Sequence, residues 1–318
     1  MTEAPAEPAL EGWLIAQAAC EATAWMDTGR ESAFALSAEG RLRPVAASDP
    51  EAVVCWRPSV GWCSLLSPED ARQPLLDLYL PVSSATAARP IIVGHLGQSL
   101  DGFIATPSGD SCFVTGPQNI LHLHRLRALC HAVIVGARTV ENDNPRLTTR
   151  LVSGNNPIRV ILDPKNRLSR SHHVFCDGDA NTLRVIGKRA PDSASAPQRE
   201  DGVLEVSYAG GALDLHELVR QLRARGCARI FVEGGGVTVS SFLEAGLLDR
   251  LHVAIAPLLI GDGRPGIRLA PHAQLKDCMK VQPRIYRAGD DVLFDCDLRA
   301  SASAERDAPQ SADVARLT

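Results

Sequence analysis

The stretch Ala228-Arg229-Ile230-Phe231-Val232-Glu233-Gly234-Gly235-Gly236-Val237-Thr238-Val239-Ser240-Ser241-Phe242-Leu243 decides the fold of this chain. Ile230 to Val232 is a short apolar run of the kind a buried parallel strand gives. Three glycines break it, and apolar spacing resumes through Phe242, Leu243, Leu247 and Leu248. The order is strand, glycine turn, helix. Glycine lets the backbone approach a ligand closely, and the N–H groups that open a helix attract phosphate. Thr238, Ser240 and Ser241 add hydroxyls in the first helical turn. The same residues also fit a tight turn that needs positive φ and binds nothing, and the stretch alone leaves both readings open.

Outward from it, similar apolar runs recur at Ile91–Leu96, Ala132–Gly136, Pro157–Leu162, Leu183–Ile186 and Leu251–Ile255. Helical spacing runs through Gly116–Cys130 (Leu121, Leu126, Leu129) and through Asp214–Arg225 (Leu215, Leu218, Val219, Leu222). Gln282–Arg287 and Val292–Leu298 flank the turn Ala288-Gly289-Asp290-Asp291 and read as a hairpin. Strands alternating with helices predict an α/β fold, a mainly parallel central sheet flanked by helices with a C-terminal antiparallel hairpin. Ligands in such sheets sit at the carboxyl ends of the strands. Unusual residues cluster at those ends: Gly97 to Asp101, Gly136 to Asp143, Asp163, and Glu233 to Gly236.

Residues 1–85 read as a small α+β domain of its own. Trp13, Leu14, Ala18 and Trp25 suit a helix over Gly12–Met26, Phe34–Leu36 and Ala52–Trp56 suit strands, and Ser67-Pro68-Glu69-Asp70 reads as a helix N-cap. Residues 1–10 are expected to be disordered. The run Val82–Pro90 reads as a linker, residues 86–299 as the ligand-binding domain, and 300–318 as a mobile tail. A net charge of −4 argues against a nucleic-acid surface, and the apolar runs are too short to cross a bilayer. The N-terminus lacks the pattern of a signal peptide, and the nine cysteines are scattered without a close pair. A soluble cytoplasmic protein with reduced thiols is expected. No His-x-Glu followed by Pro-Cys-x-x-Cys is present, so no zinc deaminase module is expected. His122, His124, His172 and His173 diverge at their spacings and make no metal case.

Three segments together resemble the reductase domain of the riboflavin-biosynthesis deaminase-reductase family, which is dihydrofolate-reductase-like. They are Ser99-Leu100-Asp101-Gly102 with Gly109-Asp110-Ser111, His124–Ala128 through Val135–Val140, and Asn142–Arg150. Val160–Asp163 with Arg167, the Glu233 glycine turn, and Ile255-Ala256-Pro257 with Gly261-Asp262-Gly263 follow in the family's order, so the resemblance covers roughly 90–298. It implies NADPH-dependent reduction at C1′ of a ribosylamino-pyrimidine 5′-phosphate, and a homodimer, for which the exposed edge of the terminal hairpin also speaks. It implies Ser111, Arg127, Leu147, Arg150 and Glu233 as substrate contacts, with Glu233 and Asp101 as catalytic groups. Two guanidiniums and a hydroxyl suit a phosphate monoester. The alternatives stay open: Arg127 on a solvated helix face, Arg150 as an ordinary surface arginine, Glu233 as a buried cap.

For the cofactor the resemblance implies Gly97, Phe113, Thr139, Asp143, Gly235, Gly236, Val237, Thr238, Val239, Ser240 and Ser241. Lys165, Arg167, Lys188 and Arg189 are available to a 2′-phosphate, and equally fit as ordinary loop charges. No metal is expected, because the cofactor carries the chemistry. Three residues depart from the family pattern: His95 stands where lysine is usual, Phe113 where tryptophan is usual, and Asn144 where a second aspartate is frequent. Two other readings remain: reduction of another pyrimidine- or pterin-like compound, or a catalytically silent ligand-binding relative.

Overall fold

The structure, a computed structural model, describes residues 7–26, 29–112, 114–188 and 202–299. Phe113, Arg189 and the tail from 300 lie outside the described residues. In chain order the elements are α1 (Glu7–Glu21), α2 (Thr23–Met26), β1 (Ser32–Leu36), β2 (Leu42–Val45), β3 (Val54–Arg57), β4 (Gly61–Ser64) and α3 (Gln73–Ser83). Then follow β5 (Ile91–Ser99), β6 (Phe103–Ala105), α4 (Pro117–Leu129), β7 (Ala132–Gly136), α5 (Ala137–Asp143), β8 (Ile158–Leu162), α6 (His173–Cys176), β9 (Thr182–Gly187) and β10 (Val203–Val206). The chain continues through β11 (Tyr208–Ala209), β12 (Ala212–Leu213), α7 (Leu215–Arg223), β13 (Arg229–Glu233), α8 (Gly236–Glu244) and β14 (Arg250–Ala256). It closes with β15 (Arg264–Pro265), β16 (Pro283–Ala288) and β17 (Asp291–Asp297).

The central sheet has nine strands in the order β10-β9-β8-β7-β13-β5-β14-β17-β16. Pairing is parallel from β10 to β14 and antiparallel across β14, β17 and β16, as the alternation and the terminal hairpin predict. The strand of the deciding stretch, β13, lies between β7 and β5 near the middle. Ile92, Ile134, Val160 and Ile230 pack on one face with Leu218, Val219 and Leu222 of α7 and Val239 and Phe242 of α8. Val93, Val133, Ile161 and Phe231 pack on the other with Leu126 and Leu129 of α4.

The N-terminal segment makes a second antiparallel sheet, β2-β1-β3-β4. Trp13, Trp56 and Trp62 are buried there with Phe34 and Tyr79. This apolar cluster continues without interruption into the α4 face of the central sheet, so residues before and after the expected linker share one core. Two local expectations give way. Glu7–Leu10, expected to be disordered, belong to α1. Ser67 does not cap a helix: the Asp70 carboxylate binds Arg72, 67–72 is a turn, and α3 starts at Gln73 with Pro74 in its first turn. Cys55 and Cys63, apart in sequence, lie directly opposite each other on β3 and β4 as free thiols.

Candidate active site

A cleft of about 500 Å³ opens at the carboxyl ends of β5, β7 and β13, within the usual range for small-molecule sites. On one side two adjacent strands end in helix starts: β7 leads through Gly136 into α5, and β13 through Gly235 into α8. Neither start is capped by a side chain, so first-turn N–H groups are left for a ligand. Val237, in the first turn of α8, is 69% exposed. The glycines serve different ends. Gly234 has φ +155°, a conformation a side chain rarely adopts. A Cβ on Gly236 would stand 1.9 Å from the Gly266 carbonyl oxygen, so that position makes room for the protein's own loop. That loop includes β15, which pairs with β6 across the mouth of the cleft.

Thr139, Asn142 and Asp143 of α5 line the same side, with Gly97, Gly235, Gly236, Val237 and Thr238. Burial pushes the Asp143 carboxyl up, partly offset by the Arg264 guanidinium. Arg138, Arg264 and Arg268 also line this end of the cleft. Sequence reasoning missed all three, because they belong to separate segments that only the fold brings together. The cations it favoured are elsewhere: Arg167 pairs with Glu141 at 3.0 Å, Lys188 with Glu217 at 2.5 Å, and neither these nor Lys165 lines the cleft.

The opposite side is built on Glu233, the last residue of β13. Arg127, on α4, reaches it as a fork: Nε donates to Oε2 at 2.8 Å and Nη2 to Oε1 at 2.5 Å. Arg127 Nη1 also donates to the Thr148 carbonyl at 3.1 Å, and Arg150 Nη1 donates to the Thr148 hydroxyl at 2.7 Å. Two arginines therefore converge on Thr148, and Arg127 also holds the Glu233 carboxylate; of these four residues only Glu233 lines the cleft itself. Arg127 is only 6% exposed, which removes the solvated-helix reading. Its charge is already matched by Glu233, whereas Arg150 has a hydroxyl for its partner. Burial draws the Arg150 guanidinium down from its ordinary value, and the Arg127 charge adds to this.

His95 is the strand neighbour of Glu233 and is 3% exposed on the cleft wall. Its Nε2 lies 2.9 Å from Asn119 Oδ1, and the Asn119 amide donates to Thr115. Burial, reinforced by His252, takes the His95 pKa down to about 4, so the imidazole is neutral near pH 7. The position thus holds an uncharged hydrogen-bonding group, where the resemblance led to the expectation of a lysine.

Other named residues are placed differently. Ser111 lines the cleft. Leu147, with φ +56°, is 1% exposed and packs in the core, setting the turn that presents Thr148. Asp101 does not line the cleft; its carboxylate accepts the Ile260 and Gly261 N–H groups and the Ser99 hydroxyl, which hold it below the usual carboxylate range. Val239 lies in the core, Ser240 Oγ accepts the Arg268 N–H, and Ser241 donates to the Val237 carbonyl, so none of the three faces the cleft. Phe113 lies outside the described residues. Among those described, no group of three or more His, Cys, Asp or Glu could hold a metal ion, and no helix is long and apolar enough to cross a membrane.

Comparison with known proteins points the same way. Residues 90–287 match the RibD C-terminal domain. Over 214 residues the chain is 34% identical to the 2,5-diamino-6-ribosylamino-4(3H)-pyrimidinone 5′-phosphate reductase of Methanothermobacter thermautotrophicus, a match taking in 65% of this chain and 97% of that protein. It is 33% identical over 241 residues to the riboflavin biosynthesis protein RibD of Aquifex aeolicus, covering 74% of this chain but 63% of that one. A solved structure from Thermotoga maritima, a diaminohydroxyphosphoribosylaminopyrimidine deaminase/5-amino-6-(5-phosphoribosylamino)uracil reductase, superposes with a TM-score of 0.54 at 27% identity, over 72% of this chain and 62% of that chain. The chain thus spans less than two thirds of these two larger relatives.

Proposed function

Because the chain belongs to the RibD C-terminal domain family, we propose that it is a riboflavin-pathway reductase acting on a ribosylamino-pyrimidine 5′-phosphate, with NADPH as reductant. The observation that carries this reading is Glu233 on the wall of the cleft beside two helix starts, with Arg127 bound to its carboxylate and Arg127 and Arg150 both bound to Thr148. When bound, the nicotinamide supplies hydride to C1′ of the ribosyl group. The N–H groups opening α5 and α8 hold the cofactor's phosphates, and Thr139 and Asp143 border it. Arg150 and Ser111 take the substrate phosphate, for which a guanidinium is suited by shape and charge. Glu233, held in one orientation by Arg127, accepts hydrogen bonds from the substrate.

Preference for NADPH over NADH rests on Arg138, Arg264 and Arg268, which have no carboxylate partner among the described ion pairs. Replacing Arg138 or Arg268 by alanine should weaken NADPH binding about tenfold and leave NADH binding unchanged. Equal catalytic efficiency with the two cofactors would defeat this assignment. A homodimer in the cytoplasm completes the reading. Val281, Met279 and Leu275 are exposed apolar side chains next to β16, an edge strand with Ile285 42% exposed. Sedimentation that finds only monomer at micromolar concentration would count against the dimer.

The deciding experiment is NADPH oxidation with the ribosylamino-uracil 5′-phosphate and with its dephosphorylated form. Turnover of the phosphate form alone supports the proposal. Turnover without the phosphate moves the substrate to another pyrimidine- or pterin-like compound, and NADPH binding without turnover of either form removes the activity.

A further inference from the structure

Glu233, His95, His252 and Asp295 stand side by side at one level of four neighbouring strands, β13, β5, β14 and β17, and Arg284 of β16 continues the line. Directly paired residues point to the same face of a sheet. A row of polar groups therefore crosses an otherwise apolar face, beginning in the cleft at Glu233 and ending under the N-terminal segment. All but Arg284 are largely shielded: His95 is 3%, His252 0% and Asp295 1% exposed.

Helix α4 lies on this row and meets it polar group to polar group. Asn119 binds His95 and Arg127 binds Glu233. Between them, His122 Nε2 lies 3.0 Å from His252 Nδ1. His252 Nε2 in turn approaches Asp295 Oδ1 at 3.2 Å, without the alignment of a good hydrogen bond, and Arg250 donates to both oxygens of that carboxylate. One atom of His122 remains to be satisfied inside the core, Nδ1. Its partner is the Tyr79 hydroxyl of α3, at 2.7 Å. Burial pushes the Tyr79 hydroxyl up to about 12 and His122 well below its ordinary value, so both groups meet uncharged. The same α3 touches the far end of the row, where Arg284 Nη1 donates to the Asp77 carbonyl at 3.4 Å.

On the reading of the cleft given above, we propose that the N-terminal segment is a positioning module for the substrate side of the site, acting through the Tyr79–His122 hydrogen bond on α4. Asn119 and Arg127, which fix His95 and Glu233, sit on that helix three residues before and five after His122. The cofactor side hangs on α5 and α8, which this bond does not reach. Tyr79 is thus a positioning residue whose loss unsettles one half of the cleft. No described residue of the segment lines the cleft itself.

The test uses the full chain with Tyr79→Phe, which keeps the ring, and Ile15→Val as a control in the same core but outside the polar chain. Hydrogen–deuterium exchange of residues 117–129 should rise about tenfold in Tyr79→Phe and stay within twofold of wild type in Ile15→Val. Substrate KM should rise five- to twentyfold in Tyr79→Phe with NADPH Kd within twofold of wild type. Equal exchange in the two variants, or faster exchange with an unchanged KM, overturns the proposal. If the wild-type protein does not turn over the phosphate substrate, the functional reading falls, and the exchange measurement alone still decides whether Tyr79 holds α4.

Discussion

The Arg127 guanidinium and the Glu233 carboxylate, 106 residues apart, close on each other as a two-pronged fork, with Glu233 on the wall of the cleft. A buried pair of this kind adds little net stability when intact, yet removing one partner strands the other charge, at a cost of about 3–5 kcal/mol. Arg127→Ala should therefore lower Tm sharply and reduce kcat/KM roughly ten- to a hundredfold. Arg127→Lys should recover only part of both, because ammonium keeps the charge and loses the fork. Thermal melts and steady-state kinetics check this, and wild-type values for Arg127→Ala would remove the fork from both roles.

Arg150 is exposed and bound through Thr148, so its truncation should behave differently. Arg150→Ala should leave Tm within a degree or two. It should weaken kcat/KM about ten- to a hundredfold, as expected for loss of one charge-assisted contact of about 1.5–3 kcal/mol. The loss should vanish with a dephosphorylated substrate, where there is no phosphate to hold. A loss of the same size with both substrates sinks the phosphate assignment.

Gly236→Ala places a methyl against the Gly266 carbonyl oxygen, backbone against which nothing can swing aside. The start of α8 or the 264–266 loop must shift, and overpacking of this kind costs about 1–3 kcal/mol. NADPH affinity should fall at least tenfold in titrations. Gly246→Ala, at φ +62° with open space around it, serves as a control that strains the backbone without touching the cleft.

His95 and His122 are buried uncharged, His95 with its pKa at about 4 and His122 well below its ordinary value. The unfolded chain binds protons at both below about pH 6.5, while the folded chain resists. Their contribution is whole above that pH and is lost as pH falls, for His95 toward about 4. His95 alone accounts for on the order of 3 kcal/mol at the acid end. Denaturant unfolding at pH 7 and pH 4.5 should show the loss, and His95→Gln should make the pH slope shallower. An unchanged slope in that variant places the acid sensitivity elsewhere.

The strands flanking the cleft were readable because each is an apolar run ended by glycine or an acidic residue, and strands buried on both faces leave no other pattern. The edge strand β10 was not, since Val203–Val206 is half exposed and too short to stand out from the polar connection before it. The site was legible in part. Glu233 and the glycines announced themselves by breaking an apolar run. What sequence reading lacked was the company Arg127 keeps. Helix α4 buries His122, His124, Arg125 and Arg127, a composition that reads as solvated. It is buried because polar partners wait on both sides: the row on the central sheet, and Trp13 and Tyr79, over whose rings the Arg125 guanidinium lies at 5.5 and 5.8 Å. Such matching depends on residues far apart in the chain and leaves no local periodicity. The cations of the cofactor side were misplaced for the same reason.

The small pairing of β6 with β15 fixes when the cleft can come into being. Phe103–Ala105 must wait for Arg264 and Pro265, about 160 residues later, before the mouth closes and Gly236 meets Gly266. Contacts of such separation form late, after the entropy of a long loop has been overcome. During synthesis the parallel strands and the N-terminal segment are already out of the ribosome while the binding site is still missing a wall. A chain cut before Arg264 therefore lacks this wall of the cleft even though it carries the whole glycine turn.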